Sequence, residues 1–483
     1  MSPGPRRTAE EEDDDEDLGG EALRALLEAT RTSEGRSRLA SEGIVLPKLV
    51  RRLRPDLPLH RILSFLRVLR NLCAGEAASQ DAFLESGGPE AAASVVLRGA
   101  LPVPEEVVRL GLQLLGNVAA AGERHRSTVW RQFFSDGFLD LARVRDAMAC
   151  DALCMILYMC CCSSGPESRE RFDELCGVGR GLPILKEVIS TACSAGCRGD
   201  WLRLLLSRVC FEEPGLPLLF SEFSSFSFVE ICRLPENGNP PFTVEQAFLL
   251  GILSDFLSEQ PGEGGHISRG FVLAVLRVLE GASLSVDFSS RGPSPLPTGS
   301  PAVDALGYSL AILRDIAAAD DSSSLPPLVE PLVSSGICRH LLGLLRDLEP
   351  PSTVRRALHR RPSSEAASPP SSPSKVCPYR GFRRDLVAVI GNCTCGRRRV
   401  QDEIRQLDGI LLLLQQCVVD EENPYLREWG MLAVSYLLEG NAENQRLVAE
   451  LELQGSVDSP EVAELGLRVD LDKKTGRVKL VNV

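Results

Sequence analysis

Residues 65–97 read FLRVLRNLCAGEAASQDAFLESGGPEAAASVVL, and residues 386–417 read LVAVIGNCTCGRRRVQDEIRQLDGILLLLQQC. Each stretch has an apolar helix that ends near an Asn, a polar gap, a short segment that begins near a Gln, and a second apolar helix that begins near a Gly. Nine residues separate the Asn from the Gln in both, and eight separate the Gln from the Gly. This shared order indicates an internal repeat of three helices.

Two further copies extend the repeat. One runs from Leu110 to Gly137, and a weaker one spans residues 430–455 and carries Tyr436 where the others have Asn. The Gln of the weaker copy follows that of the preceding copy by 44 residues, which lies within the period of about 40–47 residues of armadillo and HEAT repeats. Because one helix pair cannot bury its apolar face alone, such repeats stack. The sequence therefore predicts an all-α, armadillo/HEAT-like, right-handed α-solenoid.

The repeat marks a small set of structural positions. We expect each Gly to supply the positive φ that ends a helix and each Asn to bind freed backbone groups of the next turn. We also expect the C-terminal Trp to pack inward against the Ile410–Leu414 helix, although an exposed Trp would instead be a binding anchor. The positions are Asn71, Gly88, Asn117, Asn392, Gly409 and Trp429.

Composition divides the chain into four parts. In order, we predict a disordered acidic arm, armadillo-like repeats, a disordered Ser/Pro/Arg-rich linker and a C-terminal module, at residues 1–20, 21–348, 349–380 and 381–483. The repeats are interrupted by a Ser/Gly/Pro-rich stretch at residues 289–301, which is also expected to be a disordered loop. Residues 467–481 alternate apolar and polar around Gly476, and this pattern predicts a small β-hairpin at the end of the module.

The linker carries Ser-Pro and Arg-Arg-Pro-Ser sequences, which predict phosphorylation. The candidates are Ser363, Ser368 and Ser372. A phosphate adds about −1.5 to −2 charges and could pair with linker arginines. A spacer that is modified by chance is the plainer alternative. Deleting residues 352–376 is accordingly expected to leave the melting temperature nearly unchanged.

The formal net charge of the chain is −13, and residues 10–17 are eight consecutive Glu and Asp. An acidic chain lacks the positive face that phosphate contacts need, so nucleic acid is not an expected partner. The acidic run could touch a basic partner, although a solvating tail is the simpler interpretation. No stretch is long and apolar enough to span a membrane, and sixteen dispersed cysteines with no signal peptide favour a reducing, cytoplasmic location.

No catalytic, cofactor or metal site is predicted. The chain has no nucleophile elbow, Walker loop or His-Glu-x-x-His motif, and its five histidines lie far apart. A cysteine cluster between Cys150 and Cys162 is interpreted as core packing, with redox sensing or palmitoylation as the alternative. A hydrolase with an unrecognised site is the third functional hypothesis, after a binding scaffold and a regulated adaptor.

Several motifs near the C-terminus stand in an order that resembles the ataxin-10 family. They are IGN at 390–392, VQD at 400–402, LDGI at 407–410 and NPYLREW at 423–429. Weaker similarity extends over nearly the whole chain. The resemblance implies an armadillo-like, non-enzymatic scaffold linked to neuronal survival, neurite outgrowth, cell division through cytokinesis, and the centrosome or cilium base.

The same resemblance implies protein partners and locations. The partners would be the intracellular O-linked N-acetylglucosamine transferase, a heterotrimeric G-protein β subunit and mitotic kinases, and a homo-oligomer is left open. The locations would be the cytoplasm, with perinuclear, centrosome or basal-body, and midbody pools. The alternative function is a phosphorylation-gated regulator of a partner enzyme such as that transferase.

Overall fold

The structure, a computed structural model, describes residues 20–97, 103–233, 242–259, 267–320, 327–360, 375–453, 467–471 and 478–482. The chain divides into two compact units, Met1–Leu205 and Leu206–Val483. The acidic run at residues 10–17, the three phosphorylation candidates and the hairpin turn at Gly476 lie outside the described residues.

The first unit is a succession of long helices, each followed by shorter ones. Long helices pack against each other in a layer, and Leu66, Leu69 and Leu115 between them are completely buried. The helices are α1 (Gly20–Ala29), α2 (Ser33–Glu42), α3 (Val45–Arg52), α4 (Leu59–Leu72), α5 (Ala77–Glu85), α6 (Gly88–Val96), α7 (Glu105–Ala119), α8 (Glu123–Phe133), α9 (Asp136–Ala142), α10 (Ala147–Cys161), α11 (Pro166–Leu175), α12 (Leu182–Ala195) and α13 (Asp200–Phe211), whose Leu205–Leu206 bond is the unit boundary.

The second unit has the same kind of construction. Its long helices again pack in sequence, with α16 on α18, α18 on α22 and α22 on α25. The elements are α14 (Gly215–Glu222), α15 (Phe228–Ile231), α16 (Val244–Glu259), α17 (Arg269–Ser285), α18 (Pro301–Ala319), α19 (Val329–Ser334), α20 (Ile337–Asp347), α21 (Ser352–Arg360), α22 (Phe382–Thr394), α23 (Arg398–Gln406), α24 (Gly409–Leu414), α25 (Leu426–Leu438), α26 (Ala442–Leu453), β1 (Leu467–Leu471) and β2 (Val478–Asn482).

These elements confirm the predicted all-α fold of the solenoid type, which each unit builds by stacking helices. The group α10–α12 also consists of three successive helices, but its third helix is nearly as long as its first, with lengths of 15, 10 and 14 residues. At the C-terminal end, β1 pairs antiparallel with β2, with Leu467 opposite Asn482 and Leu471 opposite Val478.

The apolar stretch at residues 329–347 forms two helices, α19 and α20. Gly336 lies between α19 and α20 with φ 84°, in the left-handed region. A residue in this conformation interrupts the α-helical hydrogen bonds.

The glycines of the repeat act through packing, not through positive φ. The left-handed residues are the preceding ones, Gly87 at φ 71° and Asp408 at φ 54°. A Cβ on Gly88 would lie 2.6 Å from the ring of Phe83, and one on Gly409 would lie 2.7 Å from Cγ2 of Ile404. Each Gly therefore lets the first turn of a helix approach an apolar side chain of the preceding helix closely.

The two stretches expected to be disordered are ordered wherever the structure describes them. Residues 289–301 form a loop whose Gly292 N–H donates to the Cys377 carbonyl at 3.1 Å, and the Arg380 N–H donates to the Ser294 carbonyl at 3.0 Å. In the linker, residues 352–360 are helical and Tyr379 is 1% exposed. The prediction of a disordered linker over the full range 349–380 is therefore wrong at both ends, because these backbones hydrogen-bond to each other and bury aromatic side chains. Residues 361–374 lie outside the described part.

Candidate partner-binding surfaces

The repeat Asn and Gln side chains form hydrogen bonds between neighbouring repeats. In the first unit, Asn117 Nδ2 donates to the Arg70 carbonyl at 3.0 Å. Gln80 Nε2 donates to the carbonyls of Cys73 at 3.0 Å and Asn117 at 2.8 Å. The amides thus bind carbonyls at the ends of α4 and α7, which have no intrahelical donor.

The second unit repeats this arrangement. Asn392 Nδ2 donates to the Arg314 carbonyl in α18 at 3.0 Å. Gln401 Nε2 donates to the carbonyls of Tyr436 at 2.8 Å and Glu439 at 3.1 Å, at the C-terminal end of α25. The expectation that each Asn binds its own next turn is thus wrong for Asn117 and Asn392, whose amides bind the preceding long helix. These amides hold the repeats together and are not free to bind a partner.

A buried ionic contact adds to this connection in the first unit. Arg171 in α11 is 5% exposed, and it donates to both carboxylate oxygens of Glu123 in α8, at 2.7 and 3.0 Å. Its Nε donates to the Cys160 carbonyl at 2.7 Å. The hydrogen bond from Arg171 lowers the pKa of the Glu123 carboxyl, more than its partial burial raises it.

A buried polar network fastens the residues before α22 to the C-terminal module. The Tyr379 hydroxyl donates to Asp385 Oδ2 at 2.8 Å, and the Arg383 N–H donates to Asn423 Oδ1 at 2.9 Å. The Arg383 guanidinium, which is 2% exposed, donates to Gln416 Oε1 and to the Glu349 carbonyl. Burial of Tyr379 raises the pKa of its phenol well above the usual range, so this hydroxyl stays a donor.

Helix α25 presents a row of large side chains that are not buried. Trp429, Leu432 and Tyr436 are spaced by three and four residues, which places them on one face of the helix. Tyr425 is the N-cap residue, with φ 66°, and lies just before the first turn. Tyr425 is 71% exposed and Leu432 is 38% exposed, while the other two are half-buried. We call these four residues the α25 stripe. Its spacing is legible in the sequence, but its exposure is not.

The tryptophans differ in burial. Trp130 is buried, and its Nε1 donates to Glu174 Oε2 at 2.7 Å. Trp201 is half-buried beside Tyr158, with ring centroids 5.9 Å apart. Trp429 is half-buried and so is not part of the fully buried core, and its packing against the Ile410–Leu414 helix stays a prediction.

The three basic residues before and within α23 have different roles. Arg397 donates to the carbonyl of Asp320 at 2.5 Å and to its Oδ2 at 3.0 Å, and the Asp320 side chain is 1% exposed. Asp320 also accepts from the N–H groups that begin α19. Arg398 and Arg399 are exposed and pair with surface carboxylates. Arg397 therefore belongs to an ion pair with a buried carboxylate, whereas Arg398 and Arg399 are surface charges.

Four cysteines of the cluster between Cys150 and Cys162 behave as core residues. Cys150, Cys154, Cys160 and Cys161 are buried, and burial raises the pKa of Cys160 to about 12, so its thiol is not a nucleophile at neutral pH. Among the described residues, no three His, Cys, Asp or Glu side chains group as a metal-ligand set would. Within the same residues, no helix combines the length and the apolar character that crossing a bilayer requires.

Stacked helical repeats joined by side-chain amides, with an aromatic stripe on an outer helix, define a scaffold-type helical-repeat protein. The sequence model of the spinocerebellar ataxia type 10 protein domain matches residues 382–481, from α22 into β2. Ataxin-10 of Xenopus tropicalis is 26% identical over 430 residues, which cover 86% of this chain and 80% of the relative. Human ataxin-10 is 25% identical over 420 residues, which cover 85% and 80%. The chain belongs to the ataxin-10 family.

A shorter match has a higher identity. The ataxin-10 homolog of Dictyostelium discoideum is 39% identical over 104 residues, which are 22% of this chain and 17% of the relative. Among solved structures, an engineered protein covers 86% of this chain and 84% of its own, at 14% identity and a TM-score of 0.40. A likeness at that level assigns nothing, and the fold assignment rests on the helices themselves.

Proposed function

We propose that this protein is a non-enzymatic scaffold that binds protein partners through the α25 stripe. One observation carries the proposal: within the part of the chain that matches the family, a half-buried tryptophan, an exposed leucine and a half-buried tyrosine lie on one face of α25, and an exposed tyrosine caps its N-terminus. Aromatic side chains of this kind are the residues that most often dominate binding energy at protein interfaces. Helical-repeat folds chiefly present surfaces for binding.

The stripe fits an apolar segment of a partner protein. Exposed carboxylates at Glu428 and Glu439 lie beside it on the same helix, so a partner segment with basic residues next to its apolar ones would match both features. Following the family resemblance, we propose the intracellular O-linked N-acetylglucosamine transferase, a G-protein β subunit and mitotic kinases as partners. The roles would be in neurite outgrowth, cytokinesis and the cilium base, from a cytoplasmic location.

Phosphorylation remains a second proposal that the structure constrains. Two arginines at the start of the linker are already engaged, since Arg355 pairs with Glu349 and Glu422 and Arg356 pairs with Glu421. A phosphate on the segment would have to compete with these carboxylates for a guanidinium. Such competition would loosen the ordered start of the linker, which gives a physical route from modification to partner binding.

The proposed function is tested by Trp429→Ala and Leu432→Ala in the full chain, with Leu284→Ala as the matched control. Leu284 is 52% exposed on α17, away from the family-matched region. Binding to purified O-linked N-acetylglucosamine transferase would be measured by interferometry, and capture from neuronal lysate would be compared by quantitative mass spectrometry. We expect both stripe variants to lose partners that the control keeps, with melting temperatures close to the wild type. Retention of the same partners by both stripe variants would contradict the proposal.

A further inference from the structure

The first unit contains a cavity of about 520 Å³ that four arginines line. Arg31 follows α1, Arg36 lies in α2, and Arg67 and Arg70 lie on successive turns of α4. Thr30 and Asn71 complete its polar wall. The cavity is open to solvent on one side, and none of its residues contributes to the α25 stripe.

Only part of this positive charge is neutralised by the residues that the structure describes. Arg67 pairs with Glu106 at 2.5 Å, and Arg31 pairs with Glu28 at 3.1 Å, in a contact where both side chains are about two-thirds exposed. The hydrogen bonds of the other two guanidiniums go to neutral oxygens. Arg36 donates to the Thr30 carbonyl at 3.3 Å, and Arg70 donates to Asn71 Oδ1 and to Gln113 Oε1, both at 2.9 Å.

The position of Arg70 makes the cavity favourable for an anion. Partial burial and the neighbouring Arg67 both lower the pKa of its guanidinium, because a second positive charge nearby in a partly desolvated site is unfavourable. A carboxylate that entered the cavity would offset the repulsion between the Arg67 and Arg70 guanidiniums. Arginine suits the purpose because its planar fork can donate two parallel hydrogen bonds to one carboxylate.

We propose that this cavity binds a carboxylate-rich polypeptide segment and that its occupant is the acidic run of the same chain, residues 10–17. The run carries eight consecutive acidic residues and ends three positions before Gly20, where α1 begins. Helix α1 is ten residues long, about 15 Å. It leads directly to Thr30 and Arg31 at the cavity.

The reach and the charge of the run both fit this assignment. Ten residues of extended chain span about 33 Å, which exceeds the length of α1, about 15 Å. A short flexible tether gives the acidic run an effective concentration on the order of 1 mM at the cavity. A free acidic peptide of similar affinity must exceed that concentration to displace the run. Polyanions such as nucleic acid are disfavoured, because the chain as a whole carries a net charge of −13.

The consequence is competition, because an acidic segment of a partner and residues 10–17 would bind the same arginines. This inference goes beyond the proposed function and is independent of it, because its residues lie in the first unit and the α25 stripe lies in the second.

The experiment uses a fluorescein-labelled peptide of residues 8–19 and measures its binding by fluorescence anisotropy. The peptide is titrated with the full chain, with the chain lacking residues 1–17, and with the truncated chain carrying Arg31→Gln and Arg36→Gln. A truncated chain with Arg54→Gln and Arg131→Gln is the control, since it has the same charge change on exposed arginines outside the cavity.

If the trans affinity is on the order of 100 μM, tethering at about 1 mM makes the full chain bind the peptide about tenfold more weakly than the truncated chain. We expect the cavity variant to bind at least tenfold more weakly than the truncated chain, and the control to stay within twofold of it. Raising NaCl from 50 to 500 mM should weaken binding further, because salt screens exposed charges.

Two results would overturn the assignment. Equal binding by the full and truncated chains would show that the run does not occupy the cavity, even if the arginines bind the peptide. Equal loss in the cavity variant and in the control would show that binding follows net charge alone. If the double variant melts at a lower temperature than the truncated chain, Arg31→Gln alone tests the same point. The Arg31 side chain is 65% exposed, so folding does not depend on it. A threefold loss of peptide affinity is then expected.

Discussion

Replacing Gln401 by Ala should weaken the interaction between the last two repeats. Gln401 is 3% exposed, and its Nε2 is the donor for two carbonyls at the C-terminal end of α25. Its Oε1 accepts from Asn441 Nδ2 at 3.1 Å. Ala removes all three hydrogen bonds and leaves no side chain that reaches the same carbonyls.

The magnitude follows from these bonds. Leaving a buried acceptor without a donor costs about 1–3 kcal/mol, and a lost neutral hydrogen bond costs about 1 kcal/mol. The Tyr436 and Glu439 carbonyls lie at a helix end that water can partly reach, so the low end of that range applies to each. We therefore expect the free energy of unfolding of the second unit to fall by about 3 kcal/mol.

Two measurements check this value. Hydrogen–deuterium exchange of peptides from α25 should accelerate by roughly a hundredfold, because every 1.4 kcal/mol is a factor of ten. Urea unfolding should show a lower midpoint with an unchanged slope. Gln406→Ala is the matched control, since it makes the same substitution on the same helix α23 at an exposed position. A difference between the two variants below about 0.5 kcal/mol would refute the view that the amides hold the repeats together.

Three further predictions follow from the contacts described above. Arg397→Glu should lower the free energy of unfolding by about 3–5 kcal/mol, as expected for breaking a buried ion pair. Arg399→Glu, at a side chain that is 70% exposed, should change the free energy of unfolding by less than about 1 kcal/mol. Equal urea midpoints for the two variants would contradict this prediction. Replacing residues 361–374 with a Gly/Ser segment of equal length should preserve the melting temperature. Deleting residues 352–376 should lower it, contrary to the expectation from the sequence, because the two ends of the deleted range contain ordered contacts. Calorimetry of the two variants tests this difference. Arg171 lowers the pKa of Glu123 in the folded state, so the stability from this pair is complete above the ordinary carboxyl pKa of about 4.3 and is lost as pH falls through the lowered value. Glu123→Gln should therefore flatten that part of the plot of unfolding free energy against pH. An unchanged plot would contradict the assignment of this ion pair.

The α25 stripe shows where sequence reasoning stopped short. The spacing of Trp429, Leu432 and Tyr436 is a property of the sequence, and it places them on one helix face whatever the helix packs against. The same spacing is typical of a core face, so the pattern favoured burial. Only the packed structure shows that α25 turns Gly430, Ala433, Val434 and Leu437 inward instead.

The arginines make the same point for charge. Arg397, Arg398 and Arg399 are chemically identical and adjacent, so no local rule separates them. Their roles differ because the first meets a carboxylate buried at the start of α19, 77 residues earlier, while the others face solvent. Burial of the partner, not the arginine itself, decides which substitution destabilises the protein.

By itself the sequence determined the repeat, the helical fold class and the family, because periodic apolar residues and recurring Asn, Gln and Gly positions are local and survive in any packing. It also located Gln80 and Gln401 as equivalent. The acceptors of their amides were decided only by the tertiary structure, because those carbonyls belong to the next repeat, 37 and 35 residues further on. The arginine-lined cavity was likewise invisible in the sequence, because its charges come from three helices that are brought together only when α1 and α2 pack on α4.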